Sequence, residues 1–358
     1  MTKLRSKWTT SRPRTEEADL NKRWLVALSL FYFFQLSSAF AGTYLPRYMG
    51  ILGMSGTAIG LAFGAQAVAR SIAMPLWSYA SDRFGMSARL VKIQFVLALP
   101  YLFLPFVTDP DVLVILLVLV GPTIGCAIPI TDVVTMRELS PSAFGRIRAL
   151  GSLGFGLCAA AFAALGVVYS HTELARGSVW VVVGLLALGG VSAAAFPRSE
   201  ATVNQARFHD VLAMLRNPWL LVLMPLWCVH WASQVPYNMY LVYFAEARGF
   251  GAWVPGAAVF AGITAEVAFL AMGTSVVERL GPLRSFAVVV AVTAARWAFM
   301  AMSVDPWIVI GLQFAHGLTF GGFMLSMMSV LNREVAPGVR STARCSLQPL
   351  SLDWAAIG

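Results

Sequence analysis

The chain has 358 residues, of which 58% are hydrophobic and only 12% are charged, and its mean hydropathy is +0.72. Soluble domains carry about a quarter of charged residues, so this composition excludes an ordinary soluble enzyme and indicates a protein whose solvent is mostly lipid. The formal net charge of +9 is spread over short loops between apolar runs, which predicts no nucleic-acid partner.

Apolar runs of membrane-spanning length recur along the chain, because a transmembrane helix needs about 20 apolar residues. The polar segment 1–23 has no cleavage site and is predicted to be a cytoplasmic tail. Ten predicted spans follow, here numbered 1 to 10, at 24–46, 57–80, 89–107, 112–134, 147–170, 177–197, 218–245, 254–277, 284–303 and 307–331. An eleventh apolar run begins near 343 and the chain ends inside it.

The basic residues predict the topology. Of the 26 Lys and Arg, Arg47, Arg176 and Arg248 fall in loops on one side, and Arg70 and Arg296 fall within spans. The remaining 21 lie in the tail and in the loops of the other side. Because Lys and Arg accumulate in cytoplasmic loops, the sequence predicts a multi-pass protein of the cell inner membrane with a cytoplasmic N-terminus.

The two halves of the chain match each other at a single offset of 196 residues. Arg137 falls on Arg333 and Arg148 falls on Arg344, in the equivalent loops after spans 4 and 10, so the repeats share one orientation. Transporter folds often carry such internal repeats. The pattern predicts two parallel six-helix repeats: 24–197, a cytoplasmic loop at 198–217, and an incomplete second half at 218–358.

Several segments carry a family resemblance. Asp-Arg-Phe-Gly at 82–85 with Arg89 resembles the signature loop of the major facilitator superfamily, and Ser78 stands where that pattern usually has glycine. Phe144–Phe155, which opens span 5, and Gln313–Gly321 in span 10 are similar to the phenylpropionate permease and nucleoside:proton symporter-like branch. The resemblance implies an all-α membrane fold with ten full spans and a partial eleventh.

The same resemblance implies a secondary active transporter that is not an enzyme and needs no cofactor or metal. We expect its partners to be a small-molecule substrate, protons and the lipid bilayer. The expected activity is proton-coupled uptake of a ring-bearing solute, such as an aromatic acid, nucleoside or sugar, by alternating access. Proton-driven efflux of hydrophobic compounds, or a truncated and transport-inactive membrane protein, is the alternative.

Charged residues at the cytoplasmic ends of the spans are candidates for gating loops. They are Asp82, Arg83, Arg89, Asp132, Arg146 and Arg148, and the uncharged Gly85 of the signature loop is a candidate with them. For Asp132, a salt bridge of an inner gate and a solvated acid at the loop edge are equally good interpretations.

Four ionisable residues lie near the middle of predicted spans: Arg70, Glu266, Arg296 and His316. A charge at bilayer depth costs several kcal/mol unless it has a partner or water, so such residues are functional candidates. Arg70 and Glu266 are related by the repeat offset, and we expect them to meet across a central cavity. A fixed structural ion pair is the alternative.

Glu266, Arg296 and His316 on spans 8, 9 and 10 resemble the lactose permease arrangement, in which an acid, an arginine and a histidine serve sugar binding and proton coupling. That arrangement has a second carboxylate one turn after the histidine, where this sequence has Thr319. We therefore expect Glu266 to be the principal proton-linked group, with His316 as the alternative carrier.

Polar and aromatic side chains of spans 1, 2, 7 and 10 are candidates for substrate binding. Aromatic planes combined with amide hydrogen-bonding groups suit a ring-bearing substrate. The candidates are Arg70, Gln35, Trp227, Trp231, Gln234, Asn238, Gln313 and Thr319. Tyr237 and Tyr240 are at least as well explained by an aromatic belt at the membrane surface.

The end of the chain departs from the repeat. The offset places spans 11 and 12 near 343–393, so span 12 would end about 35 residues beyond the last residue of the chain. Asp353 would lie in the apolar part of span 11. The expectation is poor transport unless a second copy supplies the missing wall by self-association.

Overall fold

The computed structural model describes residues 14–84, 87–196 and 218–334, and every regular element in these ranges is a helix. The predicted all-α fold is confirmed. Eight helices of the described ranges are long and apolar enough to cross a membrane by length and composition. Span 7 carries polar side chains such as His230 and Gln234, and the described part of span 8 includes the shorter apolar stretch Val254–Leu270.

Spans 1 to 6 form the first group of helices. Their bounds are Arg14–Gly42 for span 1, Gly56–Phe84 for span 2, Ser87–Leu97 followed by the 3-10 helix Leu99–Phe106 for span 3, Pro110–Gly125 and Ala127–Glu138 for span 4, Pro141–Leu165 for span 5 and His171–Ala194 for span 6. A short helix, Leu45–Ile51, follows span 1.

Spans 7 to 10 form the second group. Span 7 is Pro218–Ala247, span 8 is Val254–Leu280 and span 9 is Pro282–Met302. Span 10 is irregular: it begins as Pro306–Leu312, tightens to a 3-10 turn at Gln313–Ala315, widens to a π-turn at Gly317–Gly322 and ends as Phe323–Glu334.

Spans 5 and 6 begin before their apolar runs because polar caps start them. The Ser140 hydroxyl accepts a hydrogen bond from the backbone nitrogen of Ala143 at 3.3 Å, and Pro141 occupies the first turn of span 5. Ser170 and Glu173 cap span 6 reciprocally. A search for apolar residues alone places both starts too late.

Aromatic packing holds the first group together. Span 1 lies between spans 5 and 6. The Phe40 ring of span 1 meets the Phe162 ring of span 5 at 5.4 Å between centroids, and Tyr44 meets Phe162 at 4.8 Å. Such ring pairs add to the free energy gained from burying their apolar surface.

The two groups of helices join at one end of the molecule, here called the Arg47 end. Arg47 donates to both carboxylate oxygens of Glu246, from Nε at 2.6 Å and from Nη2 at 2.9 Å. It also donates to the Thr172 hydroxyl at 3.1 Å. The Tyr243 hydroxyl donates to the Pro46 carbonyl at 3.0 Å. The hydrogen bonds to the Glu246 carboxylate raise the pKa of Arg47, so its guanidinium stays charged.

Spans 5 and 8 touch through small residues next to this end. A Cβ on Gly256 would lie 2.6 Å from the Ala159 carbonyl oxygen and 2.5 Å from the Ala163 nitrogen, so only glycine permits this approach. The opposite end of the molecule, where Asp132 lies, is here called the Asp132 end.

The predicted bounds of the two halves stay predictions. The proposed loop at 198–217 and the departure from the repeat beyond Arg344 lie outside the described residues. Gly85 of the signature loop also lies outside them.

Candidate functional site

Arg296 is the centre of a polar cluster inside the second group of helices. It lies in the middle of span 9 and is 2% exposed. Its Nη1 donates to the Thr319 hydroxyl at 3.1 Å and to His316 Nδ1 at 3.3 Å, and its Nη2 donates to the Gln313 side-chain oxygen. A buried guanidinium needs such acceptors, because desolvating it without them costs several kcal/mol.

The irregular part of span 10 presents these three acceptors. The sequence predicts Gln313, His316 and Thr319 on one side of a regular helix. Gln313 lies instead on a 3-10 turn and Thr319 on a π-turn, with His316 between the two turns, and all three side chains contact Arg296. π-turns are rare and occur frequently at functional sites.

Glu266 extends the cluster to span 8. Its Oε2 lies 3.6 Å from His316 Nε2, and the Glu266 side chain is largely buried. Two glycines allow this approach: a Cβ on Gly317 would lie 2.4 Å from the Ala265 carbonyl oxygen, and one on Gly262 would lie 3.4 Å from His316 Cβ. Small residues thus bring spans 8 and 10 together where the acid and the histidine meet.

The hydrogen-bond partners fix the tautomer of neutral His316. A guanidinium can only donate, so His316 Nδ1 must accept from Arg296. The single ring proton of the neutral imidazole is therefore on Nε2, which faces Glu266. Adding a second proton at Nδ1 requires that the Arg296 contact breaks.

Tyr237 belongs to this cluster, and the aromatic-belt interpretation is wrong for it. The ring is buried, and its centroid lies 5.0 Å from Arg296 Cζ, with the Trp297 ring at 4.5 Å from the same atom. Aromatic faces stabilise a buried cation. The signal in the sequence was the spacing of three from Gln234 to Tyr237, which puts both on the polar stripe of span 7.

The other candidates on span 7 divide into two kinds. Trp227 and Trp231 pack into an apolar core with Phe286 and Phe323, so they hold spans 7, 9 and 10 together. Gln234 is buried and its side-chain oxygen has no hydrogen-bond partner among the described residues. Asn238, one turn further, is half-buried.

Asp132 lies in a second polar cluster, at the Asp132 end of the first group of helices. Tyr32 of span 1 donates from its hydroxyl to Asp132 Oδ1 at 2.6 Å, and Arg148 Nε lies 3.7 Å from the same oxygen. The side chains of Asp132 and Arg148 are 22% and 31% exposed. The ion pair joins spans 4 and 5 of one group, so it does not itself bridge the two groups.

The remaining candidates occupy separate places. Arg70 is buried, as the prediction of a charge inside the bundle requires, and the described ion pair of Glu266 is with His316. The meeting of Arg70 and Glu266 stays a prediction. Gln35 is fully buried and faces Gly189 of span 6, where a Cβ would lie 3.3 Å from its side-chain oxygen.

Among the predicted gating residues, Arg89 and Arg146 are exposed, and the side chains of Asp82 and Arg83 lie outside the described part of the structure. Within the residues that the structure describes, no group of three or more His, Cys, Asp or Glu is placed to hold a metal ion.

Comparison with known proteins decides the family. Residues 25–351 match the MFS_1 like family over nearly the whole chain. The chain belongs to this family. It is therefore a major facilitator superfamily transporter and a multi-pass membrane protein, and not an enzyme.

Several similar proteins are transporters as well. The uncharacterized transporter YwbF of Bacillus subtilis (strain 168) is 23% identical over 338 residues, covering 90% of this chain and 81% of YwbF. The maltose permease of Geobacillus stearothermophilus is 25% identical over 298 residues, covering 81% of this chain and 74% of the permease. A crystal structure of a mutant of the nucleoside transporter NupG has the same fold, with a TM-score of 0.77, 17% identity and coverage of 93% of this chain and 89% of NupG.

Proposed function

We propose that this chain is a proton-coupled symporter that carries a small ring-bearing solute into the cytoplasm by alternating access. The observation that carries the proposal is the buried chain of contacts from Arg296 through His316 to Glu266. An acid, a base and a fixed cation placed together inside membrane helices are the parts of a proton relay.

Glu266 is the proton carrier of this proposal. His316 Nδ1 is occupied by Arg296, so a second proton cannot enter the ring at that nitrogen without breaking a buried contact. The Glu266 carboxylate has no such restriction. Protonation neutralises Glu266, and deprotonation restores its attraction to His316 and the positive field of Arg296. His316 presents its Nε2–H to Glu266 and stabilises the carboxylate form, and the contact with Arg296 keeps the orientation of the His316 ring.

The Arg47 end is the outer side of the membrane in this proposal, because the loops at that end carry few basic residues. Contacts between the two groups of helices at the Arg47 end support a state that is closed to the outside. Opening the outer side requires that the Arg47–Glu246 contact breaks.

The substrate lies between the two polar clusters in this proposal. Tyr32, Asp132 and Arg148 supply hydrogen-bonding groups from one side, and Gln234 and Asn238 supply amides from the other. These groups match the hydroxyl groups of a sugar or nucleoside. Maltose and nucleosides, named for two of the similar proteins, are solutes of this kind.

Transport into proteoliposomes with an imposed pH gradient tests the proposal. With an acidic outside, the wild-type protein should accumulate labelled nucleoside or sugar. Glu266→Gln should lose this accumulation and keep counterflow, which needs no net proton movement. Glu278→Gln, an exposed acid on the same span, is the matched control and should behave as wild type. Extrusion of solute by the wild-type protein would contradict uptake and favour proton-driven efflux.

A further inference from the structure

His230 of span 7 makes one buried hydrogen bond that the proton relay does not use. Its Nε2 lies 3.0 Å from the backbone carbonyl oxygen of Thr319. A carbonyl oxygen can only accept, so His230 must carry its proton on Nε2. The ring stacks on Phe323, with 4.4 Å between centroids and an interplanar angle of 17°, and this stacking fixes its orientation.

The acceptor lies in the π-turn of span 10, Gly317–Gly322. A π-turn is wider than an α-helical turn, and its backbone carbonyl groups depart from the regular pattern of bonds four residues apart. Thr319 also accepts from Arg296 through its hydroxyl, and His316 stands directly before the turn. Anything that changes the π-turn therefore moves two of the three groups that hold Arg296.

We propose that His230 is a positioning residue: by donating to the Thr319 carbonyl, it holds the π-turn in the geometry that presents Thr319 and His316 to Arg296. No described contact joins the His230 side chain to the charged and titratable side chains of the Arg296 cluster. Those groups are Glu266 on span 8, Arg296 on span 9 and His316 on span 10, with Tyr237 of span 7 facing Arg296.

The proposal predicts a specific failure when the donor is lost. Without the hydrogen bond, the π-turn can relax toward a regular helix, which changes the pitch between His316 and Thr319. Arg296 then cannot bind both, and His316 loses the contact that restricts its Nδ1. The pH dependence of transport should change, although substrate binding groups stay in place. This transport consequence rests on the proposed proton-coupled function.

Two substitutions separate the donor from the shape of the side chain. His230→Phe keeps an aromatic ring against Phe323 and removes the donor. His230→Gln places an amide N–H at a similar distance from Cα and keeps the donor. Ser178→Ala is the control, because Ser178 is a buried donor that binds the Ala175 carbonyl oxygen within span 6 and makes no described contact with the π-turn.

Hydrogen–deuterium exchange of the purified full chain and gradient-driven uptake of labelled nucleoside or sugar are measured for each variant. His230→Phe should raise the exchange rate of amides in 317–323 about tenfold, the scale set by one buried hydrogen bond, and shift the pH midpoint of uptake. His230→Gln and Ser178→Ala should stay close to wild type in both.

Three results would overturn the proposal: unchanged exchange in His230→Phe, a pH midpoint that stays fixed although exchange rises, or a His230→Gln variant as impaired as His230→Phe. If the wild-type protein shows no gradient-driven uptake, the proposed symport fails. The exchange rates of the three variants then still decide whether His230 holds the turn.

Discussion

Equivalent positions in spans 1 to 6 and spans 7 to 10 carry opposite chemistry. At the repeat offset of 196 residues, Gln313 and His316 correspond to Leu117 and Val120. Leu117 and Val120 are buried in an apolar core, whereas Gln313 and His316 bind Arg296. Position in the fold therefore does not dictate a polar cluster, and the described cluster around Arg296 is built from spans 7 to 10.

The polar groups of spans 1 to 6 lie in a different place. Tyr32, Asp132 and Arg148 cluster at the Asp132 end, and the two charged side chains are partly exposed. Under the proposed symport, this contrast means a division of roles. The second group of helices binds and releases the proton, and the first group mainly binds the solute. Three substitutions test this division, beginning with the one that should matter most.

Arg296→Met should have the largest effect. It leaves Gln313, His316 and Thr319 without their donor in a buried site, and removing one partner of a buried charged network costs about 3–5 kcal/mol. We expect a markedly lower thermal midpoint in detergent and no gradient-driven uptake. Arg248→Met is the control, because Arg248 lies near the surface, where it binds the Ala301 and Ser303 carbonyl oxygens and lies over the Phe244 ring. Equal losses in both variants would contradict a special role for Arg296.

Asp132→Asn should have an intermediate effect of another kind. It removes the charge that faces Arg148 and weakens the acceptor for Tyr32, which should raise the KM for solute roughly tenfold through loss of about one charged hydrogen bond. The pH midpoint of uptake should stay that of the wild type, because Glu266 is untouched. A shifted midpoint with an unchanged KM would instead place Asp132 in the proton path.

Arg47→Gln should have the smallest effect. The Arg47–Glu246 contact is partly exposed, so its loss should favour the outward-open state by about 1 kcal/mol, or roughly fivefold in population. Labelling rates of single cysteines placed on the outer and inner sides report this population. Arg176→Gln, an exposed change on the same side, should leave the rates unchanged. Labelling that does not change in Arg47→Gln would show that other contacts close the outer side.

Much of the fold could be predicted from the sequence. Apolar runs, basic loops and the repeat predict the helical membrane fold because each reflects one physical rule about lipid, charge or symmetry. The starts of spans 5 and 6 were placed too late, because Ser140 and Ser170 begin these helices within polar sequence. Apolarity alone carries no information about caps.

The candidate site was predicted in part. Glu266, Arg296 and His316 stand out because charges are costly at bilayer depth. The same rule does not reveal Tyr237, whose ring is equally suited to the membrane surface or to a buried guanidinium. The π-turn of span 10 was also missed, because the sequence pattern of Gln313, His316 and Thr319 fits a regular helix. The side-chain hydrogen bonds to Thr319 in this turn from other helices come from His230 of span 7 and Arg296 of span 9.

Infrared difference spectroscopy of the purified full chain tests the central claim, that Glu266 carries the proton. A protonated carboxyl group has a carbonyl-stretch band separate from those of amides and carboxylates, so its titration can be followed directly. We predict that the wild-type protein shows one such band whose intensity changes with pH and with added solute, that Glu278→Gln keeps it, and that Glu266→Gln lacks it. A band that titrates unchanged in Glu266→Gln would contradict this account.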